Sequence, residues 1–258
     1  MRIVLNQKTL AEKMISSHKP GDGVGLRESL RLLARYYYSQ GMKRREIRKK
    51  LEEFLLECRP DTSVVKWMGW LDRTVRCVDK YPILDIDSIP VTQPEMERID
   101  SLPTERLRRL AFTLLCVAKY RLAENEKADG WVSTPDSKIM SMANIRASVR
   151  DQDMMFGRLI EAGIIEQATR IDNTNERVVI FEDGEPVIKI RDFRNLGYQY
   201  QMYHGTPCYV CVECGLTCKI KSKHPNKSHP KYCRECSDRV HAAQMKASAA
   251  RRRGQGKS

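Results

Sequence analysis

The sequence predicts a mainly α-helical fold with a small amount of β structure, and three observations carry that prediction. Apolar residues recur at helical spacing through most of residues 26–162. Short β-prone runs, separated by turn residues, follow between residues 165 and 193. Two C-x-x-C pairs come last, and such pairs are typical of a metal-binding module. The pattern indicates helical modules followed by a small cysteine-rich one.

The composition allows a sizeable core and places most of the positive charge at one end. Of the 258 residues 41% are hydrophobic, and no apolar run approaches the roughly 20 residues that a membrane helix needs. The first residues lack a secretory segment, so we expect a chain that stays in a reducing cytosol. Residues 194–258 carry 13 Lys and Arg against 3 Asp and Glu, a net +10 of the total +13. This excess favours a polyanionic partner such as nucleic acid over a merely solubilising tail.

The first third of the chain predicts a flexible start and a helical module. Residues 1–25 contain the Pro- and Gly-bearing "HKPGDGVG" and are predicted to be a flexible N-terminus. Residues 26–82 predict three helices, and Gly41 separates the first two. Those two resemble a helix-turn-helix, although a plain helical hairpin with a solvated basic face explains them equally well. Residues 83–103 include most of "PILDIDSIPVTQP", which begins at Pro82, and are predicted to be a linker.

Residues 104–193 predict a winged helix-turn-helix domain. A long amphipathic helix comes first, with a buried stripe formed by Leu107, Leu110, Leu114, Leu115, Val117 and Ala118. A short helix follows, and then one that begins with a capping box of Ser148 and Asp151 and ends at Gly163. The order of three helices and a β-ribbon is that of a winged helix.

In such a domain the helix from Ser148 to Ala162 would enter the major groove of DNA. The basic residues expected at the nucleic acid are Arg146, Arg150, Arg158, Arg170 and Arg177. Asp151 and Asp153 argue against this use, because carboxylates near the helix start mostly repel the phosphate backbone. A winged-helix domain that serves protein contact or dimerisation is the alternative.

Residues 208–242 predict a C-terminal zinc ribbon with four cysteine ligands. Cys211 and Cys214 form one C-x-x-C turn, Cys233 and Cys236 form another, and eighteen residues separate the two. Each turn points two thiolates at one centre, so that two turns complete a tetrahedron around Zn²⁺. The metal would be structural, because four cysteines leave no open coordination position.

The first metal-binding turn has two registers. Cys208-x-x-Cys211 is also a C-x-x-C pair, but Gly215 after Cys214 allows the positive φ that such a turn often needs. We therefore favour Cys211 and Cys214, with Cys208 and Cys218 as spare thiols. His224 and His229 lie between the two turns and are alternative ligands.

Basic residues in and after this module are expected to contact phosphate. Those between or beside the two turns are Lys219, Lys221, Lys223, Lys227 and Lys231. After Cys236 the run "SDRVHAAQMKASAA" predicts a short helix. Residues 243–258 form the basic tail, and we expect its terminal stretch "RRRGQGKS", with Arg251, Arg252 and Arg253, to be disordered when free and to add salt-dependent affinity. Residues 194–207 are a Tyr-rich connector that either packs on its neighbour or stacks bases.

The chain resembles a known protein family along most of its length. The stretches that carry the resemblance are "GLRESLRLLARYYYSQGM", "RLRRLAFTLLCVAKY", "GWVSTPDSKIMSMANI", "IRDFRNLGYQYQMYHG" and the zinc ribbon. They resemble proteins encoded by phages and prophages of Gram-positive bacteria, which implies a bacterial cytoplasm but no particular activity. In its arrangement alone, the winged-helix part also resembles phage replication-initiation proteins.

These observations predict a nucleic-acid-binding protein with a structural zinc ion, with DNA as the favoured nucleic acid, in phage or mobile-element replication or transcription control. The alternative is a protein-binding adaptor or inhibitor that docks on host or phage machinery. It is motivated by the near-neutral first 193 residues, which hold 33 basic and 30 acidic side chains. No catalytic motif was found, so no enzyme is predicted.

Overall fold

The computed structural model describes residues 3–21, 23–169, 175–220 and 230–255, with side chains as far as residue 248. This part of the chain is mainly helical with small sheets, as predicted. Its α helices are α1 (Gln7–Ser17), α2 (Leu26–Ser39), α3 (Arg44–Cys58), α4 (Met68–Arg76), α5 (Gln93–Asp100), α6 (Glu105–Glu124), α7 (Asp136–Met142), α8 (Val149–Glu161), α9 (Leu196–Tyr203) and α10 (Arg234–Gln255). None of the helices in the described ranges is long and apolar enough to cross a membrane.

The β structure of the described residues consists of short strands in three small sheets. The strands are β1 (Ile89–Thr92), β2 (Trp131–Val132), β3 (Ile165–Gln167), β4 (Glu176–Val178), β5 (Pro186–Ile190), β6 (Cys208–Val210) and β7 (Thr217–Lys219). Their order is β1-β5 in one sheet, β2-β4-β3 in the second and β6-β7 in the third.

The chain divides into two compact units, and the first is helical. It comprises residues 1–90, 118–131 and 189–193. Helices α1 to α4 bury one face each in a shared core, because their apolar residues recur every three or four positions. The most deeply buried residues of this core include Leu30, Leu33, Ile47, Leu51, Leu55 and Leu71. The Gly41 turn between α2 and α3 has φ +80°, as its place in a tight turn requires.

The N-terminal segment differs from the prediction. Residues 1–25 were expected to be flexible, but they contain α1. The side chain of Asn6 accepts a hydrogen bond from the backbone N–H of Thr9 at 3.1 Å and so caps the helix. Ala11 and Met14, one turn apart, are buried in the helical core. So short an apolar face, followed by Pro20 and Gly21, gave too weak a periodic signal.

The segment 83–103 also differs from the predicted linker, because it contains β1 and α5. Helix α5 begins with a capping box in which the backbone N–H of Thr92 donates to Glu95 Oε2 at 2.8 Å. Met96 and Ile99 are buried on its inner face. Two apolar residues in eight do not establish a period, so the prolines dominated the prediction.

The second unit comprises residues 91–117, 132–188 and 194–258. The predicted stripe of α6 is confirmed, and every residue from Leu110 to Ala118 is buried, which is typical of a central core helix. Along the chain, α6 is followed by β2, α7, α8, β3 and β4, and β3 pairs antiparallel with β4 through Ile165 and Val178. The two-residue strand β2 was not predicted. The last predicted ribbon strand, β5, pairs with β1 instead.

The Tyr-rich connector contains a helix that packs on its neighbours. Tyr200 on α9 is buried, its hydroxyl donates to Asp100 Oδ1, and its ring lies 5.5 Å from that of Phe112. Burial leaves Tyr200 no face for a base, so this residue tethers the segment instead of stacking on nucleic acid. The short helix predicted after Cys236 is confirmed as part of α10, but α10 continues through Gln255, where disorder was expected from Arg251.

Candidate metal centre

The four predicted ligands come together in the second unit. The Sγ atoms of Cys211, Cys214, Cys233 and Cys236 all lie within 4.8 Å of one another. Cys214 Sγ and Cys233 Sγ are 3.7 Å apart. A tetrahedral site with Zn–S bonds of about 2.3 Å has S···S edges of about 3.8 Å. The four sulfurs are therefore close enough together to hold a single metal ion, and the one edge of 3.7 Å fits a tetrahedral site.

The first metal-binding turn follows β6. The backbone N–H of Gly215 donates to Cys211 O at 2.9 Å, and that of Cys211 donates to Leu216 O at 2.9 Å. These bonds fold the chain back so that Cys211 and Cys214 point the same way. Gly215 has φ +74°, which confirms the reason for placing the turn at Cys211 and Cys214.

The second turn leads into a helix. Cys233 directly precedes α10, Cys236 lies in its first turn, and the N–H of Ser237 donates to Cys233 O at 2.8 Å. The positive end of the helix dipole favours anions at this place. The backbone N–H of Val212 donates to Lys231 O at 3.0 Å, which joins the two turns. Three of the four cysteines are buried, and Cys214 is half-buried.

The four cysteine side chains lie so close together that they influence one another's ionisation. Burial raises the pKa of Cys211, but backbone donors at Cys233, Cys214 and Glu213 outweigh burial and bring the pKa down to about 6. Arg239 lowers the pKa of Cys236, yet burial and the other three thiols raise it to about 12. Four thiolates at this spacing therefore need a cation between them. Four sulfur ligands around that cation would complete a tetrahedral coordination shell.

Two arginines that were not predicted as part of the site contact its sulfurs. Arg239 Nη2 donates to Cys236 Sγ at 3.0 Å, across one turn of α10. Arg194 Nη2 donates to Cys214 O at 2.6 Å, and its Nη1 lies 3.9 Å from Cys214 Sγ. The i, i+3 spacing of Cys236 and Arg239 was a usable signal in the sequence. Arg194 lies twenty residues before Cys214 and gave none.

Helix α9 holds the cysteine module on the rest of the second unit. Asn195, at the N-terminus of α9, donates from Nδ2 to Thr217 O on β7 at 2.9 Å. Its Oδ1 accepts from Asn144 Nδ2 at 2.9 Å, just beyond α7. Both asparagines have positive φ, a conformation that Asn tolerates better than most residues. The hydrogen bonds of Asn195 thus fix the module to the rest of the unit. Its own sequence gives no sign of these bonds.

The two spare cysteines lie on the hairpin beside the site. Cys208 on β6 has its Sγ 3.8 Å from Tyr198 O, and Cys218 on β7 has its Sγ 3.7 Å from Leu216 O. Neither belongs to the group of four sulfurs. Cys218 packs against that group from outside. His224 and His229, the alternative ligands, lie outside the described residues.

The predicted nucleic-acid contacts fall on several elements. Arg146, Arg150 and Arg158, in and before α8, are exposed, and so are Lys219 and Lys231 beside the two turns. Arg177 on β4 is half-buried and pairs with Glu166 Oε2 on β3 at 3.3 Å. Arg170, Lys221, Lys223 and Lys227 lie outside the described residues. Arg251, Arg252 and Arg253 belong to α10, but their side chains are not described.

The exposed face of α8 is not strongly basic. The helix carries two arginines against three carboxylates. One carboxylate serves the cap, because Asp151 Oδ2 accepts from Ser148 Oγ at 2.8 Å while Asp151 N donates to the same Oγ at 3.2 Å. Val149 and Met154 are 74% and 48% exposed. Ile160 is also exposed, so the surface of α8 offers apolar as well as charged contacts.

Comparison of the chain with protein-family models, with curated proteins and with solved structures gave no significant match. The cysteine cluster and the charges around it are therefore the features of the chain that bear on its function.

Proposed function

We propose that this chain is a nucleic-acid-binding protein, with DNA as the favoured partner, whose C-terminal module is held by a structural zinc ion. It would act in the replication or transcription control of a phage or mobile element. The observation that carries the proposal is the group of four cysteine sulfurs within 4.8 Å, set in the most basic part of the chain.

Zinc is the metal that this donor set favours. Four thiolates are soft ligands, and a tetrahedral arrangement of four sulfurs suits Zn²⁺ or an iron–sulfur site. A single group of four sulfurs within 4.8 Å of one another, with one edge of 3.7 Å, favours one ion. Cys211, Cys214, Cys233 and Cys236 would hold it, and the ion would neutralise their charge and fix both turns.

The nucleic-acid part of the proposal rests on charge placement. Lys219 and Lys231 are exposed at the two ends of the segment that joins the metal-binding turns. That segment carries three more lysines, Lys221, Lys223 and Lys227. A metal ion that fixes both turns would hold Lys219 and Lys231 in place beside them, which favours binding to a phosphate backbone.

A winged helix is the fold that we propose for the part of the chain from α6 to β4. Its support is the element order α6, β2, α7, α8, β3, β4 together with the sheet order β2-β4-β3. In such a fold α8 would be the recognition helix.

A second candidate function is protein docking through α8. The observation that favours it is the mixed surface of this helix, with exposed Val149, Met154 and Ile160 beside as many acidic as basic groups outside the cap. Apolar side chains surrounded by opposite charges are better suited to a protein partner than to a uniformly negative backbone. Nucleic-acid binding by the C-terminal module does not depend on which role α8 takes.

The nucleic-acid proposal is tested with the zinc-loaded full chain. Fluorescence anisotropy would measure its affinity for duplex and single-stranded DNA between 50 and about 200 mM salt, where binding should fall steeply with salt. Lys219→Ala with Lys231→Ala should lower the slope of log K against log salt by about 1.8 for duplex DNA. Lys8→Ala with Lys13→Ala, on exposed positions of α1, is the control of equal charge. If the chain binds neither duplex nor single-stranded DNA at about 50 mM salt, the proposal is refuted.

A further inference from the structure

We propose that the groove between α3 and α4 binds the phosphodiester backbone of a nucleic acid, as a contact site separate from the metal module. The proposal rests on the proposed function and adds to it, since none of these residues was among the predicted contacts. The groove lies entirely in the first unit.

The groove is open, and its lining is dominated by guanidinium groups. It encloses about 440 Å³ and is lined by Arg44, Arg45, Arg48, Asp72, Val75 and Arg76. The three positions from α3 belong to its first two turns, and the three from α4 to its second half. Both helices belong to the core of the first unit, so the arginines project from a rigid base.

Two of the four arginines are fixed by acids, and two are not. Arg48 Nε donates to Asp72 Oδ1 at 2.7 Å and its Nη1 donates to Glu52, so this side chain is only 16% exposed. Arg44 Nη2 lies 3.1 Å from Asp79 Oδ2. Within the described ranges, Arg45 and Arg76 are exposed and have no acidic partner. Arg44 and Arg48 are thus held in place by ion pairs, and the guanidinium groups of Arg45 and Arg76 are available to a ligand.

The charge order of α3 opposes its helix dipole. From Lys43 to Lys50 the sequence "KRREIRKK" has six basic residues and one acid, whereas the rest of α3 has three acids and no base. Basic groups are unfavourable near a helix N-terminus and acidic groups near a C-terminus, so this order costs stability. Charges placed against the helix dipole, at a cost in stability, are expected at functional sites. A polyanion bound beside the first turns of α3 would offset the repulsion.

The lining favours a phosphodiester over an acidic protein segment. Guanidinium groups bind phosphate oxygens through two parallel hydrogen bonds, and arginine supplies four of the six lining residues. The one apolar residue of the lining, Val75, is buried. A protein partner would need an apolar anchor, which this groove does not offer.

The test compares two double variants of the zinc-loaded full chain. Arg45→Ala with Arg76→Ala removes the two arginines that lack partners, and Lys8→Ala with Lys13→Ala removes the same charge from α1. Anisotropy with a labelled 20-base-pair duplex would follow the salt dependence. The arginine variant should lower the slope of log K against log salt by about 1.8 and weaken binding about 30-fold at 0.15 M salt, while the control should change neither.

Each outcome decides the proposal. If the chain binds DNA and both variants behave alike, the groove is not a DNA site, although the proposed function stands. If the unaltered chain binds no DNA, both proposals fail together. If the chain binds polyglutamate but not DNA, and the Arg45→Ala, Arg76→Ala variant binds polyglutamate more weakly, the groove is a site for an acidic protein and the proposal is wrong. Arg45→Lys with Arg76→Lys, which keeps the charge, should restore the slope, and circular dichroism would check that every variant is folded.

Discussion

At the scale of single residues, one glycine determines how closely α9 can approach the end of α7. A Cβ atom on Gly197 would overlap the carbonyl oxygen of Ala143. This close approach brings Asn195 within reach of both Asn144 and Thr217. The anchoring of the metal module therefore depends on a residue that carries no functional group.

We expect Gly197→Ala to destabilise the protein by about 1 to 3 kcal/mol, because the backbone must shift to remove the overlap. Gly157→Ala is the matched control, since a Cβ at this position in α8 meets nothing within 4 Å. That change should stabilise the helix by up to about 1 kcal/mol. Urea unfolding followed by circular dichroism measures both, and equal stability of the two variants would contradict the close packing of α9.

A buried carboxyl group makes stability depend on pH. Burial, and secondarily the charge of Asp136, raise the pKa of Glu176 to about 7 from an ordinary value of 4.5. The folded state then holds the Glu176 proton more tightly than the unfolded state does. The tighter proton binding contributes its full free energy of stabilisation below about pH 4.5, and this contribution is lost as the pH rises through 7.

Glu176→Gln should therefore be more stable than the unaltered protein at pH 8, by about 1 to 2 kcal/mol after allowance for solvent screening. The difference should shrink towards pH 5, where the glutamate is protonated in the fold. Thermal or urea unfolding at pH 5, 6, 7 and 8 would follow it. A difference that does not vary with pH would show that Glu176 is ionised throughout.

At the scale of elements, the sequence predicted those with a long apolar period and missed α1, β1, β2 and α5. Helix α6 gave six apolar positions in register, and all are buried. Helix α1 has two fully buried apolar residues, and β2 has only two residues in all. Elements of that length are stabilised by tertiary contacts that a local pattern does not contain.

Because α1 contributes to the core of the first unit, changes on its inner face should be costly. Met14 is 1% exposed, so Met14→Ala should cost about 2 to 5 kcal/mol. Lys13→Ala, on the exposed face next to it, should stay within about 0.5 kcal/mol of the parent protein. Trp67 and Trp70 pack against the same core, so tryptophan fluorescence during urea unfolding reports on it. Equal midpoints for the two variants would argue against a packed α1.

At the scale of the whole molecule, the group of four cysteines was predictable and the contacts that support it were not. Two C-x-x-C pairs fix thiolate geometry locally, and Gly215 selected the correct register of the first pair. Arg194 and Asn195 contact the module from a separate part of the chain, so no spacing rule identifies them. The groove between α3 and α4 likewise depends on two helices being neighbours, although the basic face of α3 was visible in the sequence.

The two units should respond differently to metal removal. The first unit has its own apolar core, whereas the buried hydrophobic cluster of the metal module consists, among the described residues, of Cys211, Cys233 and Cys236, with Leu216 and Tyr232 partly buried around them. So small a cluster cannot offset the entropy of ordering its chain without a metal. We therefore expect a chelator to unfold the module and leave the first unit folded.

Hydrogen exchange with mass spectrometry would measure this for each unit. After chelation, the backbone N–H groups of Cys211 and Val212, which bond within the module, should lose protection, while those in the middle of α2 and α3 keep it. Cys233→Ser should show the same pattern without chelator and bind no zinc, whereas Cys218→Ser should keep one equivalent. Zinc retained by Cys233→Ser would refute the ligand set. Protection that survives metal removal would show that the ion is not structural, and loss of protection in α2 and α3 would show that the first unit depends on it.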